Sequence, residues 1–413
     1  MTSRHSQILL TVLLLSCFIP RTSVAALIVY LDSAELTERA DLVVKIQVLS
    51  LKQDGMVPGG IHLPYEATPK MIASAKVHSV IKGEAPDIIN IEYYGASVSI
   101  DDKPRSWHFT QLKDGEISIA FLRKEGASYK FCDPENGKLV VEPQFVEYDL
   151  SAMPLDRLLS ELVFSAQTGK GFVKLQAIEQ IGAWGQVSRR KLLGGGYSIK
   201  DGVLGESQAR VVLRELRSSN DLKERAFALI AGLEIGDSPG VDGAMSLFAA
   251  MADGAEQQCV YERSRYPCSI SNLQERFIQV VDDSTRTFLR DANGAVIHKG
   301  GLARGVSGFD YPEFCKQVLQ SEPVRNSVEM RKHVANTIWI LEDARNIPDA
   351  INLLSDSDSY VRYVAVGFLQ KTVNKDASQF VWETYQAQES DRLQYWRKWW
   401  QANRSQFNAP ADR

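Results

Sequence analysis

The residues best suited to chemistry lie between two cysteines, in the stretch Tyr261–Tyr266 (YERSRY), which mixes aromatic and arginine side chains. Tyrosine and arginine are enriched at the energetic centres of protein interfaces, because each combines a large contact area with hydrogen bonding. The chemistry expected here is recognition of a protein partner, with Tyr261, Arg263, Arg265 and Tyr266 as candidate contact residues. The alternative is a solvated surface loop that the flanking cysteines hold together.

The chain has five cysteines, and four of them follow the first 25 residues: Cys132, Cys259, Cys268 and Cys315. An even number in an exported chain favours disulfides, and four cysteines allow three connectivities. A bond between Cys259 and Cys268 would close the loop of candidate contact residues. A bond between Cys132 and Cys315 would join distant parts of the chain, and the sequence does not choose between these connectivities.

Three short motifs resemble sites for other chemistry, but each departs from the required pattern. Gly194–Gly196 lacks the Gly-Lys-Ser/Thr ending with which a P-loop cradles phosphate. Gly305–Gly308 lacks the spacing of a nucleophile elbow. Asp356 and Asp358 are not followed by the glycine and glutamate of a calcium-binding EF loop. We therefore predict no catalytic residue, no cofactor and no metal ion.

The elements that position these residues begin with a predicted all-β part at 26–150. Short runs of β-branched or alternating residues recur there, at Asp41–Val48, Ala73–Ile81, Ile88–Tyr94, Glu116–Arg123, Ser128–Phe131 and Lys138–Glu142. At least six short strands at this spacing indicate a small barrel or sandwich.

Four motifs of this part are similar to a known family, namely Ala40–Val44, Val80–Gly83, Leu112–Glu116 and Ala120–Arg123. They resemble the OB-type barrel of netrin/TIMP-like modules found in exported bacterial proteins, over roughly residues 27–147. The resemblance implies a small N-terminal β-barrel. Inhibitory members of that family begin the mature chain with a cysteine that reaches a protease metal, whereas cleavage after Ala25 leaves Ala26 there.

Residues 154–405 are predicted to be helical and repetitive. A basic residue, two further residues, an alanine and an apolar stripe recur in segments that begin at Lys174, Lys223, Lys332 and Arg362. The small alanine lets a paired helix approach closely, and each pair buries its apolar face on the next pair. The pattern resembles HEAT repeats, which implies an all-α solenoid, with residues 254–312 as an irregular insertion.

The clearest of these units is Leu353–Lys375, whose apolar residues follow the spacing of one helix face. Ser357 and Asp358 are its N-cap candidates, and Asp358 is also predicted to pair with Arg362 one turn later. Three tryptophans within Trp396–Trp400 share one side of the final helix. They are typical of a helix that caps the last repeat, and the alternative is a surface that stacks on sugars.

The composition is that of a folded, mildly acidic protein, with 44% apolar residues, 24% charged residues and a formal net charge of −4. Without a block of lysine and arginine, neither nucleic acid nor an anionic membrane is an expected partner.

The first 25 residues are predicted to be a signal peptide. Arg4 precedes the apolar run Ile8–Ile19, and Ser23–Ala25 suits cleavage before Ala26. The run is too short to span a bilayer as a helix, so we expect no integral membrane insertion. We expect a periplasmic or secreted protein, with a lipid anchor on Cys17 as the alternative, because the residues before Cys17 resemble a lipobox.

Together these patterns favour a multidomain, non-enzymatic exported scaffold whose partner is another protein in the cell envelope or outside the cell. One alternative is an inhibitor or modulator of an extracellular hydrolase that acts through the barrel. The other is an envelope enzyme or carbohydrate binder that uses residues 254–312. Neither the identity of the partner nor the oligomeric state follows from the sequence.

Overall fold

The computed structural model describes most of the chain from Ser33 onward. The described residues are 33–60, 63–95, 110–134, 136–144, 146–147, 149, 151–194, 204–253, 274–275, 277–282, 308–374 and 380–407. The proposed signal peptide at 1–25, Cys17 and Ala26 lie outside them, as does most of the 254–312 insertion. Residues from Asp32 to Arg413 form one compact unit.

The first part of this unit consists of strands that follow one short helix. Its elements are α1 (Ser33–Arg39), β1 (Leu42–Gly60), β2 (Leu63–Lys82), β3 (Ile88–Tyr94), β4 (Ile117–Glu125), β5 (Ser128–Phe131) and β6 (Lys138–Val140). Hydrogen-bonded neighbours run in the order β1-β2-β3-β5-β4-β6, and β4 also pairs with β1. The pairs are antiparallel except for β3 and β5, which run parallel.

Alternation along β1 decides which of its side chains enter the core of the sheet. Leu42, Val44, Ile46 and Val48 belong to one buried cluster with side chains from β2 to β5. Because successive side chains of a strand point to opposite faces, Lys45 lies on the other face. That face is buried as well, since only 1% of the Lys45 side chain is exposed.

The second part is helical. Its helices are α2 (Pro154–Thr168), α3 (Phe172–Gly194), α4 (Leu204–Leu216), α5 (Leu222–Glu234), α6 (Val241–Asp253), α7 (Tyr311–Gln320), α8 (Glu322–Asn326), α9 (Val328–Leu341), α10 (Ile347–Leu353), α11 (Ser359–Asn374) and α12 (Trp382–Asn403). Two 3-10 turns lie at Ala344–Asn346 and Arg404–Gln406. The predicted order of an all-β part followed by an all-α part is confirmed.

Several of these helices begin with an N-cap side chain. Asp221, Asp310, Ser327 and Asp358 accept hydrogen bonds from backbone N–H groups in the first turns of α5, α7, α9 and α11. Each satisfies N–H groups that have no partner within the helix. The N-cap predicted at Asp358 is therefore confirmed.

A buried ion pair joins the strand part to the helical part. Lys45 Nζ on β1 lies 3.1 Å from Glu161 Oε2 on α2 and donates a hydrogen bond of 2.7 Å to Gln144 O. A second link is the N–H of Val140 on β6, which donates to Gln176 Oε1 on α3 at 3.1 Å. The two predicted parts of the chain are thus in direct polar contact.

The disulfide between Cys132 and Cys315, which the sequence left open as one possibility, is not formed, because both residues are free thiols. Cys132 follows β5, and its Sγ faces Leu36 O at 3.9 Å. Cys315 is instead buried on α7. The other disulfide candidates, Cys259 and Cys268, lie outside the described residues.

Within the described ranges, no helix is both long enough and apolar enough to cross a bilayer. The same part of the chain contains no cluster of three or more His, Cys, Asp or Glu side chains arranged to hold a metal ion.

Candidate binding pocket on the strand part

The candidate contact residues predicted from the sequence, Tyr261, Arg263, Arg265 and Tyr266, lie outside the described residues. The structure shows a different candidate, which we call the strand pocket. It is a cavity of about 270 Å³ at the place where β1, β2, β3 and β5 come together. Its lining consists of Val57, Lys70, Glu92, Tyr93, Tyr94, Lys130, Phe131 and Pro134.

The floor of the strand pocket is aromatic. Tyr93 on β3 and Phe131 on β5 meet edge to face, with ring centroids 6.0 Å apart and planes at 65°. Each ring is 8% exposed and belongs to the core of the sheet. The rings meet because β3 and β5 run parallel, with Ile91 opposite Tyr129 and Glu92 opposite Lys130.

Burial raises the pKa of the Tyr93 phenol, although a hydrogen bond involving the backbone of Leu112 opposes part of that shift. The phenol therefore stays protonated at neutral pH. The floor of the strand pocket is thus uncharged.

The rim of the pocket is charged. Lys70 Nζ lies 3.0 Å from Asp54 Oδ2 and 3.2 Å from Glu92 Oε2. Hydrogen bonds to Asp54 and Glu92 raise the pKa of Lys70. A hydrogen bond involving Ser128 lowers the pKa of Glu92, and Lys70 adds to the effect. Lys70 and Glu92 are both ionised at neutral pH as a result.

A second lysine lies on the other side of the rim. Lys130 on β5 pairs with Glu125 on β4, and the hydrogen bond between them raises the pKa of Lys130. Both side chains are about half exposed, at 44% and 54%. An apolar floor with an ionised rim suits the binding of an apolar group that carries polar groups around it.

Sequence reasoning predicted the strands but not the pocket that they form. β3 (Ile88–Tyr94) and β5 (Ser128–Phe131) have the predicted bounds. The signal available was the acid followed by two aromatic residues at the end of β3. Its meaning depends on the parallel pairing with β5, which no local pattern reveals.

A separate polar pair lies in the helical part. His333 Nδ1 on α9 is 3.1 Å from Oδ2 of Asp282, whose side chain is 2% exposed. A buried carboxylate that orients an imidazole is one component of a nucleophilic active site. In the described part of the chain, no hydroxyl or thiol group is hydrogen-bonded to the other ring nitrogen of His333.

Comparisons with known proteins do not identify the chain. No family model matches the sequence, and no significantly similar curated protein is found.

Proposed function

We propose that this protein is a non-enzymatic exported scaffold that binds another protein in the cell envelope or outside the cell, with the strand pocket as one contact point. The observation that carries the proposal is the aromatic floor of Tyr93 and Phe131 beneath a rim of ionised side chains. Apolar pockets of this kind, surrounded by polar groups that exclude water, hold the anchor side chains at protein interfaces.

The size of the pocket favours a protein partner over a metabolite. Its volume is about 270 Å³. Sites for small molecules usually span about 300–1,000 Å³ and enclose most of the ligand. A single large apolar side chain of a partner needs less room, so it is the occupant that we propose.

The strand pairings support an OB-type barrel as the finer description of the first part. The pairings β1-β2-β3-β5-β4-β1 return to their first strand, with β3 parallel to β5. OB-type barrels bind ligands on the face of strands 2 and 3 and at the loops that join strands 1–2 and 4–5. Strands 2 and 3 supply Lys70, Glu92, Tyr93 and Tyr94 to the lining of the strand pocket, which is consistent with a binding role.

Successive helix pairs in the second part support the HEAT-like description in the same way. For example, α11 and α12 pack through Tyr363, Phe380 and Tyr385, whose rings lie within 6.0 Å of one another. Trp396 on α12 is buried, as expected of a helix that caps a repeat array. Export rests on the predicted signal peptide at 1–25.

The proposal is tested by filling the strand pocket. Val57→Trp places a large side chain at a half-buried lining position, and Val211→Trp places the same side chain at an exposed position on α4. Mature wild-type protein and both variants are immobilised, exposed to the envelope fraction and compared by quantitative mass spectrometry. A partner that wild type and Val211→Trp retain is then purified, and its affinity is measured by calorimetry.

We expect Val57→Trp to weaken that affinity roughly tenfold or more, the effect of losing one anchor side chain. Equal affinity of the partner for both tryptophan variants would place the contact elsewhere. Failure of wild-type protein to retain any partner would contradict the scaffold proposal.

One observation favours an enzyme as a second candidate, namely the pair of His333 and Asp282. The pair would orient His333 as a general base for a hydrolytic reaction. A panel of esterase, peptidase and glycosidase substrates would test this candidate. The enzyme candidate is supported if the wild-type protein hydrolyses one of these substrates and His333→Ala abolishes that activity. It is contradicted if the wild-type protein hydrolyses none of them.

A further inference from the structure

A second cavity, which we call the arginine groove, lies among α4, α5 and α6. It measures about 490 Å³. Arg214 on α4 and Arg217 just after it line one side, and Arg225 on α5 lines another. Ser238 and Ser246, before and on α6, complete its polar lining. Three guanidinium groups on one cavity are unexpected in a chain whose formal net charge is −4.

One acid neutralises part of this charge. Asp237 is 3% exposed. Its Oδ1 lies 3.0 Å from Arg214 Nε, and its Oδ2 lies 2.9 Å from Arg217 Nη2. Counted over the described residues, one carboxylate faces three guanidinium groups, which leaves an excess of two positive charges at the groove.

Among the described residues, none neutralises the charge of Arg225. Its side chain makes no hydrogen bond or ion pair with the described residues, and its Nε is buried without a partner. The Nε of Arg217 is also buried without a partner. Buried donors are nearly always satisfied, and leaving a charged donor unsatisfied is costly. Two such donors beside one cavity are therefore able to donate hydrogen bonds to an anion that enters it.

The surrounding backbone holds this cluster in place. A Cβ at Gly232 on α5 would lie 1.9 Å from Arg217 Nη2, so the guanidinium rests directly against the helix where only glycine leaves room. On the opposite side, α6 begins at Val241, directly after Gly240, whose N–H donates to Ser238 Oγ at 3.1 Å. The first N–H groups of a helix carry partial positive charge, which adds to the attraction for an anion.

We propose that the arginine groove binds a phosphate group, carried either by a small molecule or by the head group of a lipid. A phosphate monoester carries about −1.5 to −2 charge at neutral pH, which matches the excess positive charge of the groove. Its tetrahedral oxygens accept hydrogen bonds from several directions, whereas a carboxylate is satisfied by a single guanidinium fork. This site is separate from the strand pocket and does not depend on the proposed scaffold function.

The test compares Arg225→Gln with Arg404→Gln in the mature full-length protein. Both changes remove one positive charge, but Arg404 is exposed in the 3-10 turn after α12, away from the groove. Inorganic phosphate and succinate are titrated by calorimetry. Vesicles of phosphatidylcholine with and without phosphatidic acid are tested by co-sedimentation, which separates a lipid head group from a free phosphate.

We expect saturable binding of phosphate or of vesicles with phosphatidic acid. Arg225→Gln should weaken it roughly tenfold or more, as expected for the loss of charge-assisted hydrogen bonds, while Arg404→Gln leaves it unchanged. Arg225→Lys keeps the charge but not the fork, and should bind more weakly than wild type and more tightly than Arg225→Gln. This intermediate affinity also excludes unfolding as the cause.

Three results would overturn the proposal. The first is the absence of saturable binding to either phosphate probe. The second is an equal loss of binding in Arg225→Gln and Arg404→Gln, which would indicate diffuse attraction to the surface. The third is an affinity for succinate equal to that for phosphate, which would overturn the assignment of phosphate as the ligand.

Discussion

The ion pair between Lys45 and Glu161 allows a demanding test of how the two parts of the chain hold together. Lys45 Nζ lies 3.1 Å from Glu161 Oε2, and the two side chains are 1% and 0% exposed. Lys45→Met keeps most of the side-chain bulk but leaves the carboxylate of Glu161 buried without its ammonium partner. Removal of one member of a buried ion pair costs about 3–5 kcal/mol, so Lys45→Met should lower the free energy of unfolding by that amount. Glu161→Leu should do the same, because it leaves a buried ammonium group.

The double variant Lys45→Met/Glu161→Leu should be more stable than either single variant. It removes both charges together with the cost of desolvating them, and replacing a whole buried pair by apolar residues is often neutral or stabilising by about 1–4 kcal/mol. One cost remains, since Gln144 O loses the donor that lies 2.7 Å from it. Gln144 is an exposed residue, so water can replace the lost donor at a cost of about 1 kcal/mol or less, and the double variant should be at least about as stable as the wild type.

Urea denaturation followed by circular dichroism and tryptophan fluorescence measures these free energies. Lys316→Met is the matched control, because Lys316 pairs with Glu313 on the surface, where the two side chains are 55% and 40% exposed. Loss of an exposed pair should cost less than about 1 kcal/mol. If the destabilisation of the double variant equals the sum of the two single variants, the reasoning from a buried, coupled pair is refuted.

Three further outcomes follow from individual residues. Gly83 has φ +81°, and an added Cβ would lie 2.6 Å from a backbone carbonyl oxygen, whereas Gly126 has φ +64° with open space around it. Gly126→Ala should therefore lower the free energy of unfolding by about 1–2 kcal/mol through backbone strain alone, and Gly83→Ala should lower it by clearly more. Equal losses of stability in thermal unfolding would contradict this. Burial raises the pKa of the Asp349 carboxyl in the folded protein. The protonated carboxyl therefore contributes to the free energy of unfolding below a pH of about 4, and this contribution is lost as the pH rises through the folded-state pKa. Asp349→Asn should stabilise the protein by about 1 kcal/mol at neutral pH, because the new amide N–H can donate to Asn346 Oδ1, which has no partner among the described residues. Denaturation curves measured in the acid range should show no such gain. Burial raises the pKa of the Cys132 thiol to about 11. Alkylation followed by peptide mapping should therefore show slow labelling of Cys132 at pH 8, and faster labelling as the pH approaches 11. Rapid labelling at pH 8 would contradict this prediction.

The order of strands and helices followed from the sequence because it depends on local periodicity. The alternation in Ile88–Tyr94 and the helical spacing after Val361 each reflect one buried face, and both segments adopt the predicted structure. Turn chemistry is equally local, since Gly83, directly after β2, has the positive φ that glycine adopts most readily. These signals need no knowledge of which element packs on which.

The partners of charged side chains could not be predicted from local sequence patterns in the same way. The predicted pair of Asp358 and Arg362 is wrong, because the Asp358 carboxylate accepts the N–H of Val361 at 3.0 Å as a cap. Arg362 Nη2 instead lies 2.7 Å from Glu389 Oε1 on α12. The rule for residues one turn apart describes isolated helices, and a neighbouring helix offers a partner that the rule cannot include.

The arginine groove could not be predicted from local sequence patterns either, because several elements contribute to it. Arg210, Arg214 and Arg217 follow the spacing of the polar face of an amphipathic helix, which usually faces solvent. Only the fold brings Asp237 between two of these arginines, places Gly232 beneath one of them and adds Arg225 from the next helix. Each of these residues is ordinary in the sequence, and the excess of charge arises only when they share one cavity. A site built in this way depends on which guanidinium groups the packed helices bring together, and no single helix encodes that arrangement.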